Sequence, residues 1–176
     1  MTPINWARLA RALDFYEGKG FRRIELPWHA PAEICKLTHT GPSYPFNNDY
    51  LVGSAEQSFM HAQNTGSLPE GKYVALTPCF RREPVNSKTH LDCFMKVELY
   101  SPNNQNSDMA IYFAKTAKEF MQSETGNLIK LIPTDEGHDL EINNIEVGSY
   151  MSRTGGGMSW SCGTGIAEPR FSVAII

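Results

Sequence analysis

The chain has 176 residues, the length of one domain, and its 16 Lys and Arg against 19 Asp and Glu give a net charge of −3. With 41% hydrophobic and 20% charged residues, the composition excludes a disordered tail and a coiled coil. The charge balance excludes a general polyanion binder, so any phosphate chemistry has to use a few placed arginines. We expect a single domain over residues 1–176.

Cysteine spacing and hydrophobic runs bear on the cellular compartment. The four cysteines, Cys35, Cys79, Cys93 and Cys162, form no Cys-x-x-Cys pair, so we expect reduced thiols rather than a disulfide framework. No apolar run approaches the ~20 residues of a membrane helix, and the polar N-terminus does not fit a signal peptide. The sequence therefore predicts a cytoplasmic protein.

Apolar residues at helical spacing predict a first helix that begins with Thr2 and Pro3, and its inner face comprises Trp6, Leu9, Ala10, Leu13 and Tyr16. Residues 21–26 have the composition of a strand, and the turn formers of residues 38–49 predict an exposed loop. The capping-box spacing from Ser54 to Gln57 predicts a second helix over residues 55–63.

The middle of the chain predicts a long antiparallel hairpin, formed by strands over residues 72–81 and 91–100. A third helix follows, begun by Ser107 and ended by Gly126. Its predicted inner face comprises Ala110, Phe113, Ala114, Ala117, Phe120 and Met121.

Short strands and glycines fill the last third. The predicted strands are residues 128–132, 140–143 and 145–150. Asn143 and Asn144 suit a tight turn because asparagine tolerates positive φ. A mobile glycine stretch at residues 154–157 and a final helix from about Ile166 complete the prediction. The order of elements indicates an α+β fold with a mostly antiparallel sheet flanked by helices.

One group of residues on the predicted hairpin suits nucleotide chemistry. Arg81 and Glu83 lie at the end of the first strand, and Phe94 and Glu98 share one side of the second. A guanidinium offers a planar fork to phosphate, an aromatic face stacks on a purine, and a carboxylate accepts from an exocyclic amine. The alternatives are surface ion pairs for the charged residues and a core position for Phe94.

Other candidates lie downstream. The run from Gly163 to Gly165 fits neither a Walker A motif nor a dinucleotide fingerprint, so alone it indicates a loop, but Arg170 just beyond it can supply a second cation. Asp139 and Glu146 flank a tight hairpin and can hold Mg²⁺, although Asp139 can equally just begin a strand. Cys162 lacks the histidine spacing of a nucleophile.

Together these segments resemble the catalytic core of a class II aminoacyl-tRNA synthetase. Residues 19–27 resemble the first motif, a dimer element, and residues 50–57 the loop whose glutamate holds the substrate amino group. Residues 76–83 with 94–99 resemble the second motif, and residues 163–170 the third. The strings are most similar to the seryl type; His90-x-x-x-Phe94 resembles the phenylalanyl type, and Asp139 to Glu146 the aspartyl type.

The resemblance implies a fold of the class II aminoacyl-tRNA synthetase and biotin synthetase type, with an ATP site comprising Arg81, Glu83, His90, Phe94, Gly163, Gly165 and Arg170. Arg81 would grip the α-phosphate and, with Arg170, act in catalysis. Glu83 would read the adenine amino group, His90 would approach the γ-phosphate, and Phe94 and Arg170 would enclose the ring.

The resemblance to the synthetase family further implies a binding site for an amino acid and sites for metal ions. The amino-acid site comprises Glu56, Glu98 and Trp160, although a glutamate at position 56 is also common in a first helical turn. Mg²⁺ would be held by Glu146 and Asp139. Seryl-like homologues that load a carrier protein use a zinc site with cysteines and a glutamate; Glu98 and Cys162 occupy matching positions, but the first cysteine is missing near Gly53.

The expected function is ATP-dependent activation of an amino acid or similar carboxylate to an aminoacyl-adenylate, by a homodimer. The sequence departs from the family at Ser54, Ala167 and Glu168, and has no anticodon-binding domain, so we do not expect transfer to tRNA by this chain alone. The alternatives are a catalytically idle paralogue that binds a nucleotide or a protein partner, a ligase that loads a carrier protein or a protein lysine, and an unrelated α+β binding module.

Overall fold

The structure is a computed structural model and describes residues 3–38, 41–82, 87, 91–104 and 107–176. Its helices are α1 (Trp6–Gly18), α2 (Ala32–Cys35), α3 (Ala55–Asn64), α4 (Ser107–Thr125) and α5 (Arg170–Ala174). Its strands are β1 (Arg22–Arg23), β2 (His29–Ala30), β3 (Pro45–Phe46), β4 (Asp49–Leu51), β5 (Tyr73–Phe80), β6 (Cys93–Pro102), β7 (Lys130–Pro133), β8 (Gly137–Ile142), β9 (Ile145–Gly155) and β10 (Met158–Glu168).

The described strands form two sheets. The large sheet has seven strands in the order β1-β5-β6-β10-β9-β8-β7, and the small one has three in the order β2-β4-β3. Only the short β1 pairs in parallel, with β5, and the remaining pairs are antiparallel. The predicted α+β fold with a mostly antiparallel sheet is confirmed.

The two faces of the large sheet carry different side chains, because successive side chains along a strand point to opposite sides. On β6, Val97 and Leu99 belong to the larger apolar core, together with α1 and α4. This side is called the helix face. Glu98 and Tyr100 point to the opposite side, the cleft face, where Tyr100 stacks on Phe59 of α3 with ring centroids 4.7 Å apart. The helix face supplies most of the apolar core, and the cleft face carries the polar residues.

A bulge in β10 interrupts this alternation. The pairing with β6 shifts between Thr164 and Ile166, so Gly165 is an extra residue. The Tyr16 hydroxyl donates to the Gly165 carbonyl (2.8 Å), and the Tyr150 hydroxyl donates to the Thr164 carbonyl (2.6 Å). Burial raises the pKa of both phenols well above the ordinary value, so both remain protonated donors.

The bulge turns Glu168 onto the helix face, where it meets Arg8 of α1. Arg8 Nη1 donates to Glu168 Oε1 and to Ser172 Oγ (2.8 Å), and Arg8 Nε donates to Glu124 Oε2 (3.2 Å). The guanidinium carbon also lies 5.0 Å from the centre of the Phe171 ring. One buried arginine therefore joins α1, α4 and the segment that contains α5.

Several predicted elements are confirmed. The hairpin of β5 and β6 is present, and all six predicted inner residues of α4 are buried. Asn143 and Asn144 have φ values of 51° and 64° in the turn between β8 and β9.

No helix in the described part of the chain is long and apolar enough to cross a membrane.

Other predicted elements are wrong. In α1, Trp6 is 58% exposed and Ala10 is exposed, because the helix docks through Leu9, Ala12, Leu13 and Tyr16. Its N-cap is Asn5, whose side chain accepts from the Arg8 N–H, and the predicted cap Thr2 lies outside the described residues.

The strand predicted over residues 21–26 comprises only Arg22–Arg23, and the loop over 38–49 contains β3 and the start of β4. The final helix does not start near Ile166, because β10 runs on to Glu168. The bulge disrupts the period-two pattern that would have indicated this strand. The glycines at residues 154–157 do not form a loop of their own: Gly155 ends β9, and Gly156 and Gly157 form the two-residue turn to β10, with φ of 57° and 77°.

We predict that Arg8→Met lowers the free energy of unfolding by about 3–5 kcal/mol, because it leaves the buried Glu168 carboxylate without its cation. Glu168 Oε2 already has no hydrogen-bond partner among the described residues. Urea denaturation measures the change. Arg11→Met is the control, since the exposed Arg11 pairs with Glu124 at the surface and its loss should cost at most about 1 kcal/mol. Equal losses of stability for the two variants would contradict the importance of the buried ion pair between Arg8 and Glu168.

Candidate functional site

A cleft of about 610 Å³ opens on the cleft face, between the start of α3 and strands β6, β9 and β10, and the segment after β5. Its charged lining residues are Glu56, Arg81, Arg82, Lys96, Glu98 and Arg153. Positive and negative side chains therefore face one another across a space large enough for a nucleotide or an amino acid.

The start of α3 delivers Glu56 to this cleft. Ser54 is the N-cap, and its hydroxyl accepts from the Glu56 N–H (3.3 Å). Gln57 does not close the predicted capping box; its Oε1 accepts from the Gly53 N–H (2.7 Å) and its Nε2 donates to the Cys35 carbonyl (3.3 Å). The helix is therefore capped as predicted by Ser54, while Gln57 fixes the segment that precedes it.

Glu56 is held by two donors from β10, with Arg153 of β9 nearby. Trp160 Nε1 donates to Glu56 Oε1 (2.8 Å), and the Cys162 thiol donates to the same oxygen (3.2 Å). Arg153 Nη1 lies 3.6 Å from that oxygen. The predicted amino-acid residues Glu56 and Trp160 are thus in direct contact, and the carboxylate has a fixed orientation.

Lys96 and Glu98 form a buried ion pair in the floor of the cleft. Lys96 Nζ lies 2.6 Å from Glu98 Oε2, and only 2% of Glu98 is exposed. Burial raises the pKa of Glu98, with a further contribution from Glu56, although Lys96 opposes the shift. Burial is the largest effect on Lys96 and works against its charged form, but Glu98 and Cys79 together outweigh it and the pKa of Lys96 is raised. The two charges neutralise each other, although Glu98 Oε2 makes no hydrogen bond with the geometry of a good one among the described residues.

Arg81 leaves the end of β5 and turns over Phe94. Its backbone N–H donates to the Asp92 carbonyl (2.8 Å), and its Nε donates to the Gly53 carbonyl (3.2 Å). The guanidinium carbon lies 5.1 Å from the centre of the Phe94 ring. Two of the predicted nucleotide residues are therefore brought together, and Arg81 covers one face of the ring that was predicted to stack on adenine.

Arg170 lies at the same edge of the sheet as Arg81. Strands β5 and β10 both pair antiparallel to β6, so their ends meet at one edge about 10 Å apart. Arg170 is nevertheless not among the described residues that line the cleft, and its Nη1 lies 3.5 Å from Glu146 Oε1. A shared contact of both arginines with one nucleotide stays a prediction.

The glycines predicted to bind ATP are required by packing on the helix face. A Cβ at Gly163 would lie 2.2 Å from Tyr150 Cδ1, and a Cβ at Gly165 would lie 2.8 Å from Val97 Cγ1 and 2.9 Å from Tyr16 Cε2. Gly163 also lines the cleft, so a contact with ATP stays a prediction. The two tyrosines are a sufficient reason for glycine at both positions.

The predicted metal residues do not form a cluster. The part of the chain that the structure describes contains no group of three His, Cys, Asp or Glu that could hold a metal. The zinc pair does not fit, because Lys96 neutralises Glu98 and the Cys162 thiol is kept protonated. The pKa of Cys162 is raised well above the ordinary value by burial, and further by the charges of Glu56 and Glu98. The pKa of Asp139 is raised as well, by burial and then by the charges of Glu146 and Glu141.

Arg153 lines the cleft but was not among the predicted site residues. Glu83 and His90 lie outside the described residues. Arg153 lies on β9, where Ser149, Met151 and Arg153 alternate onto the cleft face. That alternation was readable from the sequence, but the strand was predicted to end at Tyr150, before it reached Arg153.

We predict that Gly163→Ala destabilises the fold by about 1–3 kcal/mol or more, because the added methyl group overlaps the Tyr150 ring. The matched control is Gly18→Ala at the end of α1, where a Cβ has no heavy atom within 4 Å. Urea denaturation should show no loss for this control. If Gly163→Ala keeps its stability and instead loses ATP binding, the packing account of Gly163 is wrong.

We predict that iodoacetamide at pH 8 modifies Cys93 of the folded protein and spares Cys162. Cys93 is exposed, whereas Cys162 is buried, protonated and hydrogen-bonded to Glu56. Peptide mass spectrometry identifies the modified residue, and the unfolded protein is the control in which all thiols react. Rapid modification of Cys162 in the folded protein would contradict the geometry.

No protein-family model and no curated protein matches this chain. Solved structures match it over nearly its whole length. Pyrrolysyl-tRNA synthetase from Desulfitobacterium hafniense has a TM-score of 0.74 at 11% identity, covering 95% of this chain and 67% of that one. Seryl-tRNA synthetase from Pyrococcus horikoshii, complexed with ATP, has a TM-score of 0.71 at 20% identity, covering 96% and 49%.

The cytoplasmic serine-tRNA ligase from Naegleria fowleri, in complex with AMP, gives a TM-score of 0.71 at 17% identity, covering 97% of this chain and 47% of that one. The chain thus spans about half the length of the seryl enzymes and about two thirds of the pyrrolysyl enzyme. At these identities the similarity is one of fold. The chain has the fold of a class II aminoacyl-tRNA synthetase catalytic domain.

Proposed function

We propose that the protein binds ATP and activates an amino acid, or a similar carboxylate, as an adenylate with release of pyrophosphate. The observation that carries the proposal is the cleft, in which Arg81 is held over Phe94 while Glu56 is held by Trp160 and Cys162. A phosphate-binding cation and an ammonium-binding carboxylate thus line one space. The fold similarity supports it, since one neighbouring structure is an ATP complex and another an AMP complex.

Arg81 would bind the α-phosphate. In the reaction a carboxylate oxygen of the amino acid attacks the α-phosphorus, and the bond to the β-phosphate oxygen breaks. Such a transfer depends on positioning and on neutralising phosphate charge rather than on a general base. The bond from Arg81 Nε to the Gly53 carbonyl fixes the guanidinium before the substrate arrives, so little ordering is required on binding.

Glu56 would receive the substrate ammonium group. Trp160 Nε1 and the Cys162 thiol both donate to its Oε1. These two bonds fix the orientation of the carboxylate and leave Oε2 as the acceptor for the ammonium group. Glu98 is less suited to this role, since Lys96 neutralises it at 2.6 Å. We assign Glu98 and Lys96 to shaping the floor of the cleft.

Magnesium is implied by the resemblance to this fold family. The described residues contain no group of three metal ligands, but Mg²⁺ at an ATP site is held by one or two protein carboxylates together with the phosphates, and Asp139 and Glu146 supply such a pair. Glu146 and Asp139 would hold the ion, which would neutralise phosphate charge. Glu146 Oε1 lies 3.5 Å from Arg170 Nη1 in the structure.

We further propose that the protein works as a homodimer in the cytoplasm. Residues 19–27 resemble the dimer element of the family, and Trp28 beside them is 55% exposed. A half-exposed tryptophan next to such an element suits an interface between two copies.

A catalytically idle homologue is the second candidate. The contact between Arg170 and Glu146 favours it, because these residues, expected to bind adenine and Mg²⁺, instead contact each other. Such a protein would bind the nucleotide without activating a carboxylate.

Two measurements test the proposal. ATP with Mg²⁺ should raise the melting temperature, since a ligand at 100 times its Kd adds about 2.7 kcal/mol of stability. Amino-acid-dependent exchange of pyrophosphate into ATP should follow, and Arg81→Met should lower it roughly 100- to 1000-fold. The matched control is Arg11→Met on α1, whose guanidinium is exposed and pairs with Glu124 outside the cleft.

The outcomes separate the candidates. A shift with ATP but no exchange with any of the twenty amino acids would select the idle homologue. The absence of any ATP-induced shift would select an unrelated binding module. Equal exchange rates for Arg81→Met and Arg11→Met would show that Arg81 does not bind the α-phosphate.

A further inference from the structure

A second cavity of about 520 Å³ adjoins the cleft. The two spaces share three lining residues, Thr38, Met151 and Arg153, so they meet at one wall. The second cavity is also lined by Trp160, the residue that donates to Glu56. A substrate whose ammonium binds Glu56 can therefore extend a side chain towards Arg153 and the second cavity.

Arg153 is held only loosely at this junction. Its Nη1 lies 3.6 Å from Glu56 Oε1, its Nη2 lies 3.9 Å from Glu136 Oε2, and 31% of its side chain is exposed. Both distances are longer than hydrogen bonds. Glu136 is mostly exposed, so that contact contributes little. The guanidinium therefore retains donors for a planar, two-oxygen ligand.

The other cations among the described residues that line the cleft are already engaged, and Lys36 lines the second cavity but not the cleft. Lys96 is neutralised by Glu98 at 2.6 Å, and Arg81 is bonded to the Gly53 carbonyl and assigned above to phosphate. The guanidinium carbon of Arg82 lies 4.7 Å from the centre of the Tyr44 ring. Arg153 is the cation that remains beside Glu56.

The position of Arg153 also has a consequence for charge. An ammonium group on Glu56 would lie within a few ångströms of the Arg153 guanidinium, and like charges this close repel in a partly buried cleft. A neutral substrate side chain leaves that repulsion in place. A side-chain carboxylate on Arg153 compensates it, because each cation then has its own anion.

We propose that the substrate is an amino acid with a second carboxylate in its side chain, and that Arg153 binds that carboxylate. The inference rests on the proposed function. The α-carboxylate attacks the α-phosphorus and displaces pyrophosphate, while the side-chain carboxylate stays unmodified on Arg153. The second cavity provides room for a side chain at least as long as that of glutamate.

The test is direct binding, followed by exchange. Melting temperature is measured with L-aspartate, L-glutamate and their amides asparagine and glutamine, each with and without ATP and Mg²⁺. We expect an acidic amino acid to bind at least roughly tenfold more tightly than its amide, since an unpaired guanidinium penalises the neutral analogue. Arg153→Met should abolish this preference, Arg153→Lys should retain part of it, and Arg11→Met, an exposed arginine outside the cleft, should leave it unchanged.

Exchange of pyrophosphate into ATP distinguishes failure of this inference from failure of the proposed function. Exchange with serine or another neutral amino acid, and not with an acidic one, would overturn the inference and leave activation intact. An Arg153-dependent shift with an acidic amino acid, without exchange, would support the inference and refute activation. No shift with either acidic amino acid, or full preference in Arg153→Met, would overturn it.

Discussion

Two buried tyrosine hydroxyls hold the extra residue of β10, and the arrangement of both faces of the sheet depends on this bulge. Before it, Trp160 and Cys162 point into the cleft and contact Glu56. After it, Glu168 points to the helices and meets Arg8. In a regular strand Glu168 would share the side of Trp160 and Cys162, and a carboxylate would enter the cleft without its arginine.

The site depends on desolvated carboxylates that have specified partners. Glu56 receives an indole and a thiol, and Glu98 receives an ammonium from the next residue on its own side of β6. A buried carboxylate is costly unless it is paired, so these partners fix the two side chains before a ligand binds. Unlike these carboxylates, Arg153 has only contacts longer than hydrogen bonds among the described residues. Its guanidinium is therefore suited to substrate recognition.

Much of the fold could be predicted from the sequence where one periodicity dominates. The inner face of α4 and the hairpin of β5 and β6 follow from regular apolar spacing. β10 could not be predicted, because its bulge breaks the alternation and its Gly163-Thr-Gly165 run lacks strand residues. The same glycines suggested a nucleotide loop, yet they make room for Tyr150 and Tyr16, which are distant in the sequence. Glu56, Trp160 and Glu98 were predicted to share a site, and they do line or flank one cleft. The hydrogen bonds that hold Glu56 could not be predicted, because they depend on tertiary packing.

The most direct test of the account is a crystal structure with a non-hydrolysable aminoacyl sulfamoyl adenosine. The account predicts the sulfamoyl group at Arg81, the ammonium group at Glu56 and the adenine ring at the sheet edge beside Phe94. An analogue bound elsewhere on the protein, or a cleft that stays empty at saturating analogue, would contradict adenylate formation in this cleft.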